Sequence, residues 1–282
     1  MPKEIKLEKI SNVITKYNLK PKKALSQNFL LDLNLTEKIV KSAGTLQDFD
    51  VLEIGPGPGT LTRSLLESKV RKVIVIEKDK QFLKPLEDLQ KAYPNRLIIM
   101  HADALHIDPK PFLTEPTKVI SNLPYNVGTK ILLNFITDTS WPPFWNSLTF
   151  MLQKEVAERL VSKPKRKSYG RLSIISQWRS NVKILFKVSA ESFTPTPKVD
   201  SALVQFNPIK QQKFLTDQKT LETICKLAFN QRRKMLRQSL KGIHNDFQKI
   251  LVEIGIDPTS RPEELSVEKF CQLADSIKRA KS

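Results

Sequence analysis

Short, mostly apolar runs recur between residues 51 and 152: Val51-Leu52, Val73-Ile74-Val75-Ile76, Leu97-Ile98-Ile99-Met100, Val119-Ile120 and Leu148-Thr149-Phe150-Met151-Leu152. Runs of this length, bounded by turn residues, suit strands buried on both faces. Segments near 60–69, 79–92 and 127–137 lie between them with helical spacing. Strands alternating with helices predict an α/β fold, a doubly wound and largely parallel sheet of Rossmann-like layout. Ala202-Leu203-Val204-Gln205-Phe206 returns as a strand, and from about residue 208 the pattern is purely helical. The expected organisation is a main domain over 31–207 and a smaller all-α domain over 208–282. A basic segment, 1–30, precedes both. Within that segment Ile10, Val13, Ile14 and Tyr17 share one face of a short amphipathic helix that Pro21 ends. Further helices are expected from near Asn34, around Ile174, Ile175 and Trp178, and through Arg232-Arg233-Lys234 with Met235, Leu236 and Leu240 turned inward.

In open parallel sheets ligands bind at the carboxyl ends of the strands, so the residues there carry the candidate chemistry. The first strand runs into Glu53-Ile54-Gly55-Pro56-Gly57-Pro58-Gly59 and then a helix. Glycines let the backbone approach a ligand, and a helix N-terminus favours polar or anionic groups. The second strand ends in Glu77, 22 residues after Gly55, where an acid binds ribose hydroxyls in dinucleotide-type folds. The G-x-G-x-G spacing differs from the nicotinamide fingerprint, and a nucleoside without pyrophosphate fits better. S-adenosylmethionine is the candidate. Asp103, past the third strand, is placed to accept from its adenine amine. The fourth strand leads into Ser121-Asn122-Leu123-Pro124-Tyr125. An Asn amide oxygen and the Pro124 carbonyl are two acceptors for an amine with two hydrogens, and Tyr125 offers a face for a flat heterocycle. Such a clamp suits the exocyclic amine of a nucleobase. Phe193-Thr194-Pro195-Thr196-Pro197-Lys198-Val199-Asp200-Ser201 reads as a rigid loop with Phe193 exposed at its head.

Charge sharpens the picture. The formal net charge is +18, but residues 31–153 are neutral and the excess flanks them. Residues 1–30 carry +5, residues 154–187 carry +8 and residues 208–282 carry +6. Charge so placed points to a polyanion held at both flanks of a site built by the middle. The candidate polyanion contacts are Lys22, Lys23, Lys163, Lys165, Arg166, Lys167, Arg232, Arg233, Lys234 and Arg237. Cys225 and Cys271 stand without metal-ligand spacing and only three histidines are present, so no metal site is expected and the thiols should be buried and reduced. No apolar run approaches a membrane span and the N-terminus lacks a secretory apolar core. A cytoplasmic protein, monomeric for want of a surplus apolar stripe, is the expectation.

Five motifs in order resemble the KsgA-type small-subunit ribosomal RNA adenine dimethyltransferases. They are Gln27-Asn28-Phe29-Leu30, Glu53 to Gly59, Asn122-Leu123-Pro124-Tyr125-Asn126, Phe193 to Ser201 and Phe229-Asn230-Gln231-Arg232-Arg233-Lys234. The resemblance implies dimethylation of two adjacent adenosines in a hairpin loop near the 3′ end of small-subunit rRNA, with the small ribosomal subunit as partner. It implies cofactor contacts at Asn28, Leu30, Gly55, Gly57, Glu77, Asp103 and Asn122. Target-base contacts fall at Asn122, Leu123, Pro124 and Tyr125, with Phe193 as a second stacking surface. Two other readings stand beside it: a large-subunit rRNA adenine methylase of the macrolide-resistance type, and a ribosome-assembly factor whose binding matters more than its catalysis.

Overall fold

The structure is a computed structural model that describes residues 7–138, 140–211, 214 and 216–281. The basic residues of segment 1–6 lie outside the described residues. In chain order the elements are α1 (Ile10–Lys16), β1 (Phe29–Leu30), α2 (Leu33–Ser42), β2 (Asp50–Ile54), α3 (Thr60–Glu67), β3 (Lys72–Glu77) and α4 (Leu83–Ala92). Then come β4 (Leu97–His101), β5 (Thr117–Asn122), α5 (Gly128–Ile136), β6 (Trp145–Gln153), α6 (Lys154–Leu160), α7 (Arg171–Arg179) and β7 (Ser180–Val188). The last are β8 (Phe193–Thr194), β9 (Ser201–Pro208), α8 (Gln218–Asn230), α9 (Leu236–Ser239), α10 (Phe247–Glu253) and α11 (Val267–Lys281).

Seven strands form one sheet in the order β4-β3-β2-β5-β6-β9-β7. The first five are mutually parallel and β9 is antiparallel to β6. All five residues of β2 are buried. Val51, Leu52, Ile74 and Val75 have no exposed surface, and burial of each such side chain contributes about 1.5–3 kcal/mol. Strand order reverses between β2 and β5, where the loops after the two strands part and open a crevice. Gly55 and Asn122 leave the two sides of that switch point. Ser121 ties them, its Oγ accepting from Ile54 N–H at 2.8 Å.

The chain divides into two compact units, one of residues 1–135, 143–157 and 183–207, the other of 136–142, 158–182 and 208–282. In the second, α7, α8 and α11 pack together around fully buried Tyr169, Cys225 and Phe270. Phe229 stacks on Phe270 at 5.8 Å and takes Tyr169 edge-on at 6.2 Å. Both cysteines are free and buried. The helix expected through Arg232 is absent: α8 ends at Asn230 and residues 231–234 form a turn before the four-residue α9. Leu236 and Leu240 are buried as expected, but Met235 is exposed. Among the described residues no helix is long and apolar enough to cross a membrane.

Candidate active site

One cavity, about 190 Å³, opens at the switch point, and the loops after β2, β3, β4 and β5 all reach it. An ordered water needs only about 10–15 Å³ of such space, so the cavity has room for an organic ligand. Asn28, Leu30, Gly55, Gly57, Glu77, Asp103, Asn122, Leu123, Pro124, Tyr125 and Phe193 all line it. The parallel sheet and two loops thus bring residues from far apart in the chain to one wall system.

The glycine turn takes its shape from backbone that other residues adopt poorly: Gly55, Gly57 and Gly59 all have positive φ. Gly59 caps α3, and Thr60 and Leu61 of that helix's first turn line the cavity. Glu77 is buried, which raises its carboxyl pKa, while N–H groups from Asp79 at 2.7 Å and Gly57 at 3.1 Å hold its two oxygens. Its orientation is therefore set before any ligand arrives. Asp103 accepts from Lys78 Nζ at 2.8 Å and from Leu105 N–H at 3.0 Å, and Lys78 holds its pKa down. Glu53, at the base of the cavity, is pushed up to about 8 by burial; Thr62 Oγ1, donating at 2.7 Å, opposes the shift.

The last residue of β5, Asn122, brings a buried and unpartnered acceptor to the cavity wall. Asn122 Oδ1 is buried with no hydrogen-bond partner, and a native fold tolerates such an acceptor where a ligand fills it. The Pro124 carbonyl, expected to be the second acceptor, is occupied: Gly128 N–H donates to it at 2.7 Å and Val127 N–H at 3.3 Å as α5 begins. The Leu123 carbonyl accepts from no N–H or side chain among the described residues. Tyr125 OH meets Ser201 Oγ at 2.5 Å, and burial raises the phenol's pKa. That bond fixes the ring plane from 76 residues away.

Phe193 corrects the sequence expectation. It is not exposed at a loop head but only 2% accessible. Residues 193–194 form β8 and pair antiparallel with β1, Leu30 opposite Phe193 and Phe29 opposite Thr194. The ring lies in the main core with Phe29, Leu30, Val188 and Leu203 while still lining the cavity. It is a wall and not a protruding platform.

Two of the expected RNA-binding side chains are engaged within the chain. Lys22 Nζ pairs with Asp79 at 2.7 Å. Arg232 pairs with Glu263 at 2.6 Å and donates to the carbonyls of Arg166 and Lys167. The other eight, Lys23, Lys163, Lys165, Arg166, Lys167, Arg233, Lys234 and Arg237, are exposed. Asp79, Thr62 and Ser201 have site roles that sequence reasoning misses. The Glu77-x-Asp79 alternation at the end of β3 and the serine that closes the Phe193 motif are the available signals. Among the described residues no group of three His, Cys, Asp or Glu is placed to hold a metal.

The comparisons agree with this architecture. A dimethyladenosine transferase from Plasmodium falciparum superposes with TM-score 0.73 at 23% identity, over 89% of this chain and 97% of that one. The 23S rRNA methyltransferase ErmE superposes with TM-score 0.66 at 25% identity, over 89% of this chain and all of that one. The ribosomal RNA small subunit methyltransferase A of Paracoccus denitrificans is 49% identical over 274 residues, 97% of each chain. The protein of the same name from a Ruegeria species is 50% identical over 273 residues, 97% of this chain and 98% of the relative. The sequence model described as "Ribosomal RNA adenine dimethylase" matches residues 18–279, and with that match and those relatives the chain belongs to the ribosomal RNA adenine dimethylase family.

Proposed function

We propose that the protein uses S-adenosylmethionine to dimethylate N6 of two adjacent adenosines in the 3′-terminal hairpin loop of small-subunit rRNA, as part of small-subunit assembly in the cytoplasm. The observation that carries this reading is the orphaned Asn122 Oδ1 in a cavity otherwise fit for a nucleoside. The close relatives' names support the small subunit over the large one.

The cavity's donor and acceptor set fits the cofactor. Asp103 suits an adenine amine, Glu77 two ribose hydroxyls, and the glycine turn with the α3 N-terminus suits a carboxylate. When bound, S-adenosylmethionine supplies a methyl group on a positively charged sulfonium. The chain's own task is to make a poor nucleophile competent. The lone pair of an adenine amine is delocalised into the ring; two acceptors that pull its hydrogens out of plane return the lone pair to nitrogen. Asn122 Oδ1 is one. The Leu123 carbonyl is the other, because the Pro124 carbonyl is already bonded to the start of α5. Tyr125, its ring held by Ser201, and the Phe193 wall hold the base in place. The clamp would thus hold N6, its lone pair freed, toward the methyl group that the cofactor would supply, and would leave the amine's surplus proton free to pass to water. Catalysis here is orientation plus fixed dipoles. The base has to leave its stack, at a cost of a few kcal/mol that a loop context lowers.

The test is transfer of labelled methyl from S-adenosylmethionine to undermethylated small subunits, beside large subunits, naked rRNA and duplex DNA. Label in small subunits, recovered as dimethyladenosine, is the expected result. Label on large subunits would move the protein to the resistance-type activity. Tight subunit binding with no label would leave an assembly role alone.

A further inference from the structure

Between Leu19 and Phe29 no side chain is buried. Yet this stretch ends in the cavity wall, where Ser26, Gln27, Asn28, Phe29 and Leu30 all take part. What holds it is polar, and it converges on Asp79, whose side chain is only 3% exposed. Asp79 Oδ1 accepts from Lys22 Nζ at 2.7 Å, and Oδ2 accepts from Gln27 Nε2 at 3.0 Å and Gln81 Nε2 at 2.8 Å. Gln27 Oε1 accepts from Lys22 N–H at 2.8 Å, which closes the strap's own loop. Gln81 exchanges two bonds with the backbone of Lys20, both 3.1 Å. The N–H of Asp79 meanwhile donates to Glu77 Oε1.

The Asp79 carboxylate therefore fastens Lys22 and Gln27 to the end of β3 and, through Gln81, Lys20 as well, while the backbone N–H of the same residue helps to orient the ribose-side acid. Apolar anchors at Leu19 and Phe29 bound the strap; between them no apolar side chain is fully buried, Pro21 and Leu25 being half-buried. A segment held mainly by polar bonds opens at lower cost than one held by burial. Its far end is β1, paired with β8, so strap position also bears on the Phe193 wall.

We infer that Asp79 is a positioning residue, the latch of a strap of residues 20–28 whose closed state is the one that binds the cofactor. This rests on reading the cavity as an S-adenosylmethionine site. Ligand binding to a closed state is weakened by the fraction of molecules that are open. Loss of a charged hydrogen-bond centre is expected to open the strap enough to weaken binding about tenfold.

Two measurements on the full chain test this: S-adenosylmethionine affinity by calorimetry, and the rate of tryptic cleavage after Lys22 and Lys23 with and without that cofactor. In the wild type the cofactor slows cleavage. Asp79→Asn weakens binding about tenfold and speeds cleavage of the free protein. Gln27→Ala shifts both the same way, and the double variant loses little more than Asp79→Asn alone, because both break one latch. Wild-type affinity in Asp79→Asn, or losses that multiply in the double variant, would overturn the latch. If Asp79→Asn fails to fold, Gln27→Ala decides alone: unchanged affinity and cleavage would sink the proposal. A wild-type chain that binds no S-adenosylmethionine would instead refute the cofactor reading.

Discussion

Asn122→Ala separates catalysis from stability more cleanly than any other change at this site. Asn122 Oδ1 is buried and has no hydrogen-bond partner among the described residues. An unmet buried acceptor costs about 1–3 kcal/mol, so its removal should not destabilise the fold and offsets the packing that the shortened side chain gives up. In the reacting complex the same oxygen would accept an N–H of the target amine, and deletion of one preorganised dipole costs about 10²–10³ in turnover, or 2.7–4 kcal/mol. The expected signature is turnover down at least about a hundredfold, a smaller loss of cofactor affinity, and a melting temperature equal to or above wild type. Single-turnover transfer to undermethylated small subunits, calorimetry with S-adenosylmethionine and thermal melts read the three quantities. Turnover within about tenfold of wild type would refute the clamp. A melting temperature that falls in step with activity would refute it too, by assigning Asn122 to the fold.

Three further outcomes are expected. A Cβ at Gly128 would stand 3.2 Å from Leu123 Cβ, so Gly128→Ala should push the Leu123 carbonyl aside and lower turnover about tenfold, without a matching loss of cofactor affinity. Unchanged turnover would show that the carbonyl is not an acceptor or that the loop yields elsewhere. Glu53, with its carboxyl raised to about 8, contributes stability that is full below its unfolded value of 4.5 and is lost as pH rises through 8. The melting temperature of Glu53→Gln relative to wild type should therefore climb across that window; parallel curves would place the carboxyl in the ordinary range. Neutralising Lys165, Arg166 and Lys167 should flatten the dependence of log affinity for small subunits on log salt by roughly 0.7–0.9 for each phosphate left without its cation, and an unchanged slope would assign those charges to solvation.

The sheet and its strand ends are legible because a parallel strand buried on both faces has few sequences open to it, and the chemistry must then begin where the run stops. Glu77, Asp103 and Asn122 each stand at or just past the end of such a run, and each lines the cavity. What does not read out is anything decided by a partner far along the chain. Ser201 fixes Tyr125 across 76 residues, and Asp79 gathers Lys22 and Gln27 across 57 and 52. The burial of Phe193 escapes the sequence for the same reason. A proline-bounded loop reads as exposed until a two-residue strand from near the start of the chain pairs with it and closes the core over its ring.

The basic flanks show the opposite limit, where local pattern promises too much. Met235, Leu236 and Leu240 have helical spacing, but α8 stops at Asn230 and Arg232 turns back to Glu263 and to the carbonyls of Arg166 and Lys167. The N–H of Lys165 donates to the Glu263 carbonyl at 2.7 Å, so Glu263 receives both segments. Arg232 thus acts as a pin between two runs of positive charge that would otherwise repel each other. Half-buried and paired, it leaves Lys165, Arg166, Lys167, Arg233 and Lys234 exposed and held near one another. A single acid inside a basic cluster reads, from sequence alone, as a weakening of the field. Here the charge it neutralises is the one that holds the neighbouring basic run by its backbone, and the exposed charges keep their arrangement.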